Sequence, residues 1–283
     1  MSAEPPFRSV AIAGLGLIGG SLALAIRERW PSIRVVGVDT DAVLAHVRGS
    51  GAVDRTVSRV ENVEPVDLFV LATPVQQNRA LLPALAGRGQ TVITDVGSTK
   101  RAMASDAARL APPVPFVGGH PLAGAERGGF AYARPDLFEG RPWIFTPAGD
   151  GGDALERLIR FVTGLGAHPV TMTADAHDEL MAVLSHLPQL TASTLMAVAG
   201  EAAGADGLRL AGRGLIDTTR LASSPANVWR DVCETNAGPI AAALDALIAR
   251  LQLVRSQLES GEDVTPLFEG AARWRAELTK DRS

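Results

Sequence analysis

The segment from Ser9 to Asp39, SVAIAGLGLIGGSLALAIRERWPSIRVVGVD, constrains the fold of this chain more than any other. A short apolar run meets Gly14, Gly16 and Gly19, a helical pattern follows, and a second apolar run closes on Asp39. The pattern reads as strand, tight turn, helix, strand. Gly14 permits the turn, Gly16 lets the backbone approach a pyrophosphate, and Gly19 lets the helix pack on the strand, with Leu17 and Ile18 opening the helix between them. Phosphate then meets the unpaired N–H groups of a helix start. Asp39 stands where a carboxylate accepts hydrogen bonds from an adenosine ribose, and Thr40 and Asp41 beside it supply no arginine for a 2′-phosphate. The expected cofactor is therefore NAD rather than NADP.

Beyond Asp39 the chain alternates between helical and strand patterns up to about residue 173. Val66–Ala72 is a compact apolar run stopped by Thr73-Pro74, Gln90–Asp95 leads into Gly97-Ser98-Thr99-Lys100, and Phe116–Gly119 ends at His120. A short strand is expected within 54–60 and further strands at 142–147 and 168–173. In a parallel α/β sheet successive strands end on one edge, so Thr73, Pro74, Ser98 and His120 are expected beside the glycine turn, where ligands of such sheets bind. From Ala174 on the patterns are helical, rich in Ala and Leu, with Gly and Pro at the breaks. The expected architecture is α/β, a Rossmann-type, mostly parallel sheet domain over 1–173 followed by an all-α domain over 174–283. Helices this apolar expose more nonpolar surface than one small bundle hides, which predicts a homodimer through the second domain. Pro188 is expected to kink the first long helix.

Composition narrows the partners. With 46% hydrophobic and 20% charged residues and a net charge of −4, the chain is an ordinary globular one without the basic patch a nucleic acid requires. Its one cysteine, Cys233, excludes an intrachain disulfide, and no Cys/His spacing suggests a metal site. The N-terminus lacks a signal pattern, and no uninterrupted apolar run approaches the roughly 18 residues of a membrane span, so a cytoplasmic protein acting on a small molecule is expected.

Six short motifs then carry a specific resemblance: GLGLIGGS from Gly14, ATPV from Ala72, DVGSTK from Asp95, GGHPLAGAE from Gly118, SHLPQ from Ser185, and DTTRLA from Asp217 with WRD at Trp229. In this order they resemble the prephenate/arogenate dehydrogenase family of tyrosine biosynthesis. The resemblance implies an NAD-dependent oxidative decarboxylation of prephenate to 4-hydroxyphenylpyruvate, or of arogenate directly to tyrosine. It implies that His120 bonds the substrate hydroxyl and helps remove its proton, and that Ser98 bonds the same hydroxyl near the nicotinamide. It further implies that Arg220 holds a substrate carboxylate, that His186 and Gln189 belong to the substrate pocket, and that Trp229 closes the pocket of the neighbouring subunit. Glu126 is a candidate substrate-pocket residue, as a gate or as partner to a cationic group across the cleft. Two positions depart from the family pattern. Gln189 stands where many members have a second histidine, and Ile216 where an arginine is common. His46 and His177 lie in polar helical contexts and read as solvated.

Two other readings compete. A β-hydroxyacid or imine oxidoreductase on the same plan would use a lysine in the helical domain, but the next lysine after Lys100 is Lys280. A non-catalytic dinucleotide sensor would need a partner-binding surface that the acidic balance does not suggest.

Overall fold

The computed structural model describes residues 4–125 and 127–280. Its first half alternates as expected: β1 (Ser9–Ala13), α1 (Leu17–Arg29), β2 (Arg34–Val38), α2 (Asp41–Val47), β3 (Arg55–Val57), β4 (Leu68–Leu71), α3 (Val75–Leu81), β5 (Val92–Asp95), α4 (Arg101–Ala107), β6 (Phe116–Pro121), β7 (Pro142–Pro147), α5 (Gly152–Gly164) and β8 (His168–Thr171). The eight strands form one sheet in the order β3-β2-β1-β4-β5-β6-β7-β8. All neighbours run parallel except β6 and β7.

Alternation along β1 shows why the sheet sits between two layers. Val10 and Ile12 join a core with Leu22 and Ile26 of α1 and Leu158 and Phe161 of α5, whereas Ala11 and Ala13 join a second core with Phe69, Ile93 and Met103 on the opposite face. Gly14 ends β1 at φ +95°, and a Cβ there would lie 2.6 Å from the Ala72 backbone, so the turn over β4 admits only glycine. A Cβ on Gly19 would fall 1.8 Å from the Gly14 carbonyl oxygen, which is how closely α1 returns over the turn.

Some edges differ from expectation. The strand sought over 54–60 is only Arg55–Val57, followed by a 3₁₀ turn at Val60–Asn62. Strand β6 continues through His120 and Pro121, because antiparallel pairing with β7 extends it, with His120 opposite Ile144.

After β8 only helices follow: α6 (Ala174–Met181), α7 (Leu187–Leu208), α8 (Arg213–Thr219), α9 (Ala226–Thr235), α10 (Ala237–Ser260) and α11 (Thr265–Thr279). The Thr173 hydroxyl caps α6 by accepting from the Ala176 N–H at 3.1 Å. Between α6 and α7 the chain makes a π turn over Ala182–His186. Pro188 lacks the N–H that would bond the Leu184 carbonyl, and the wide turn beside it takes the place of the expected simple kink. A 3₁₀ turn over Arg220–Ser223 separates α8 from α9.

The chain divides into one compact unit of Met1–Ala237 and a second of Gly238–Ser283. Within the second, Leu251, Leu258, Phe268 and Trp274 are exposed. Helix α10 has the length and composition of a membrane span, with a mean hydropathy of 1.4 over its most apolar window, although it is not the uninterrupted apolar run sought in the sequence. Asp245 and Arg250 interrupt that helix.

Candidate active site

The ends of β1, β2 and β4 open on a cavity of about 510 Å³ lined by Gly14, Gly16, Asp39, Thr73 and Pro74. Gly16 immediately precedes α1, with no side-chain cap on the helix. A Cβ there would meet nothing within 4 Å, so open space borders the helix turn whose N–H groups have no internal acceptor. The Asp39 carboxylate is fixed at the cavity wall, accepting from the Leu15 N–H through Oδ2 and from the Thr40 N–H through Oδ1, each at 2.7 Å. Thr73 donates its N–H and hydroxyl to Asn78 Oδ1 at 3.0 and 2.6 Å, which fixes the end of β4. An open helix start beside a held carboxylate fits a dinucleotide. The fold also brings Arg59 to the cavity wall, paired with Glu61 at 3.4 Å, where local sequence shows no cation near Asp39.

A second group of side chains begins at the end of β6. His120 Nδ1 lies 2.8 Å from His177 Nε2, and His177 Nδ1 lies 2.8 Å from Asp178 Oδ1. His177 and Asp178 are fully buried. The carboxylate also accepts the N–H groups of Lys100 (2.8 Å) and Arg101 (2.9 Å). Burial acts to raise the Asp178 carboxyl, but the bonds from His177, Arg101 and Lys100 outweigh it and hold the group below its ordinary value. An ionised Asp178 only accepts, so His177 carries a proton on Nδ1, and the neutral ring then presents a bare Nε2. His120 then donates its Nδ1 proton to that atom, which leaves the lone pair of His120 Nε2 free. Burial, followed by repulsion from His177, Lys100 and His186, pushes His120 well below the usual histidine value, so the ring is neutral at neutral pH. A neutral imidazole with a bare nitrogen is a general base.

The strand that carries His120 is fixed from beneath. Lys100 and Asp95 form a fully buried ion pair. Lys100 Nζ also donates to the Gly119 carbonyl at 2.7 Å, while the Gly119 N–H donates to Asp95 Oδ1 at 3.2 Å. Burial pushes the Lys100 amine below its ordinary value against the pull of Asp95 and Asp178.

Across α6 and α9 a third group follows. Asn236 Nδ2 donates to the Asp178 backbone carbonyl at 2.8 Å, which sets the amide orientation, and faces His186 Nδ1 at 3.2 Å. His186 therefore accepts at Nδ1 and carries its proton on Nε2. Burial lowers its pKa to about 4, so it is a neutral donor. The Trp229 ring packs edge-on against it, with centroids 6.0 Å apart.

Two family profiles cover most of the chain. "Prephenate dehydrogenase, nucleotide-binding domain" matches residues 22–171, and "Prephenate dehydrogenase, dimerization domain" matches residues 173–270. The chain belongs to the prephenate dehydrogenase family. It is 37% identical over 270 residues to prephenate dehydrogenase of Bacillus subtilis, covering 92% of this chain and 72% of that protein. The crystal structure of A. aeolicus prephenate dehydrogenase in complex with hydroxyphenyl propionate and NAD+ superposes with a TM-score of 0.87 at 27% identity, over 96% of this chain and 98% of that one. Synechocystis arogenate dehydrogenase superposes with a TM-score of 0.76 at 25% identity, over 97% and 98% of the two chains.

The residues expected from family resemblance fall into distinct places. Gly14, Gly16, Asp39, Thr73 and Pro74 line one cleft, with Leu17, Ile18 and Gly19 in the first turn of α1. Ser98 is partly exposed in the loop after β5 and His120 partly exposed at the end of β6. Gln189 is 4% exposed and bonded to the turn that carries Arg220, whose own side chain is exposed. Glu126 lies outside the described residues. His177 corrects the sequence reading: it is buried and bonded to His120, not solvated. Asp178, Asn236 and the Lys100–Asp95 pair were also unassigned. The adjacent His177-Asp178 at the start of a helix was the one local signal for them.

Proposed function

We propose that this family member is a cytoplasmic, homodimeric, NAD-dependent dehydrogenase that converts prephenate to 4-hydroxyphenylpyruvate. The observation that carries the reading is the His120–His177–Asp178 series, which ends in an unprotonated His120 Nε2 on the same sheet as the dinucleotide cleft. The ring hydroxyl of the substrate gives its proton to that nitrogen. Bound NAD supplies the acceptor for the hydride that leaves the same ring carbon, and loss of the ring carboxylate as carbon dioxide makes the ring aromatic. As the proton reaches His120 the positive charge is shared toward His177 and opposed by Asp178. Ser98 bonds the reacting hydroxyl, Arg220 pairs with a substrate carboxylate in a bidentate fork, and the Nε2–H of His186 donates to the substrate. Trp229 bounds the pocket. The helical region from 174 on supplies the substrate side and, through its exposed apolar residues, the contact with a second copy.

Purified protein mixed with NAD and prephenate is expected to form NADH, with slower turnover of arogenate. Faster turnover of arogenate would reassign the substrate, and no turnover of either would overturn the proposal. His120→Asn, which cannot take up the proton, is expected to lower kcat by about 10²–10⁴ with little change in KM.

A further inference from the structure

Gln189 lies three residues after His186, one turn along the same helix face, yet its side chain is fully engaged by the protein. Its Nε2 donates to the Leu221 carbonyl at 2.7 Å and to Ser193 Oγ at 3.3 Å, and its Oε1 accepts from the Ser224 hydroxyl at 3.1 Å. At 4% exposure, little of it is left to meet a ligand. One distant partner, Leu221, lies within the 3₁₀ turn of Arg220–Ser223, directly after Arg220, and the other, Ser224, lies directly after the turn. The turn has little support of its own: the Ser224 N–H reaches the Leu221 carbonyl at 3.0 Å and the Ser223 hydroxyl reaches the Arg220 carbonyl at 3.0 Å. Arg220 itself is exposed and makes no ion pair among the described residues.

We infer that Gln189 is a positioning residue for Arg220: its amide holds the turn at Leu221, next to Arg220, and at Ser224, where the turn ends, and so sets where the guanidinium stands, without touching the substrate. The amide suits this task because it offers a donor to the carbonyl and an acceptor to the hydroxyl at once. It has no titrating proton, so the clamp holds at every pH at which the protein is folded. The inference rests on the proposed role of Arg220 as the anchor of a substrate carboxylate.

The test is a double-mutant cycle of Gln189→Met and Arg220→Gln, read as steady-state kinetics with prephenate and with NAD. Gln189→Met removes both ends of the clamp at similar volume and is expected to raise the KM for prephenate about tenfold, with kcat and the KM for NAD nearly unchanged. In the Arg220→Gln background, which by itself raises that KM, the same change is expected to add less than about twofold, since the group it positions is gone. Ser224→Ala, which loosens one end only, is expected to give a smaller rise of the same kind and serves as the test if Gln189→Met does not fold. Independent, multiplicative effects would mean that Gln189 contacts the substrate or acts elsewhere, and would overturn the inference. So would parallel losses in kcat and in both KM values, as a merely structural role produces, or an Arg220→Gln enzyme with unchanged KM for prephenate. Wild-type protein inactive on both prephenate and arogenate would instead overturn the proposed function itself.

Discussion

Asp178→Asn probes the proton series at its far end, well away from the substrate. The carboxylate accepts from three donors: His177 and the Lys100 N–H on Oδ1, and the Arg101 N–H on Oδ2. An asparagine has one acceptor oxygen. If that oxygen keeps His177 and Lys100, its NH₂ group faces the Arg101 N–H. If the amide turns over, His177 Nδ1 must become an acceptor, its proton moves to Nε2, and His120 is left protonated on the nitrogen that should take up the substrate proton. Either state removes a charge-assisted bond from a side chain with no exposed surface of its own. A hydrogen bond to a buried charge contributes about 1.5–3 kcal/mol. At about 1.36 kcal/mol per tenfold in rate, kcat is expected to fall roughly 10- to 150-fold, with a small change in the KM for prephenate. Stability to urea is expected to fall by about 1–3 kcal/mol for the donor left unpaired, so kinetics are measured at low denaturant and temperature. A variant that keeps kcat within about twofold of wild type, or whose loss lies in KM, would refute the reasoning that Asp178 sets the protonation of the base.

Acid stability follows from His186. Its pKa is about 4 in the fold against an ordinary 6.5, so as pH falls through 6.5 the unfolded chain binds the proton first and stability declines until the folded ring also titrates near 4. The His186 share of that loss is at most about 3–4 kcal/mol, less to the extent that solvent screens the ring, and His186→Gln is expected to show a shallower decline in urea titrations at a series of pH values. Equal pH slopes for the two proteins would contradict it. Cofactor choice gives another test: Asp39→Ser is expected to raise use of NADP, because Arg59 already lines the cleft, and adding Arg59→Ala is expected to cancel the gain, measured as the ratio of kcat/KM for the two cofactors. For the wild type, the acidic limb of kcat/KM is expected below the ordinary histidine range, since burial keeps His120 unprotonated as pH drops.

The sheet and its dinucleotide cleft were legible in the sequence because each signal there is local. Gly14 needs a positive φ, Gly19 needs close approach, and Asp39 ends the next strand, so spacing alone places all three. His120 was legible for a related reason, as the residue after an apolar run. His177 was not. It lies 57 positions from His120 and meets it only because β6, extended by its pairing with β7, passes beside the start of α6. On a helical wheel a histidine between Ala176 and Asp178 looks solvated, and no periodicity marks it as buried. The partners of Gln189 were hidden as well: family resemblance points to the substrate pocket, and nothing local shows that its amide bonds Leu221 and Ser224, more than thirty residues away. Arg59 was hidden because a 3₁₀ turn after a three-residue strand folds it back to the cleft.

The buried Lys100–Asp95 pair connects these observations. A buried ion pair is weak support for stability, since desolvating both charges offsets most of their attraction, and apolar residues of similar volume often serve as well. The bonds explain its place here. Asp95 closes β5 and accepts from the Gly97 and Gly119 N–H groups, and Lys100 bonds the Gly119 carbonyl, so both polar backbone groups of the residue before His120 are tied to the end of the neighbouring strand. The Lys100 charge also adds to the forces that hold His120 in its neutral form, while the Lys100 N–H helps keep Asp178 ionised two links away. One residue thus acts on the series from both ends, disfavouring a proton on His120 and supporting the Asp178 carboxylate, the two conditions that the proposed role of His120 as base requires. A methionine at position 100 could fill the same volume, but it would leave Asp95 unpaired, free the Gly119 carbonyl and remove the positive charge that keeps His120 ready to accept.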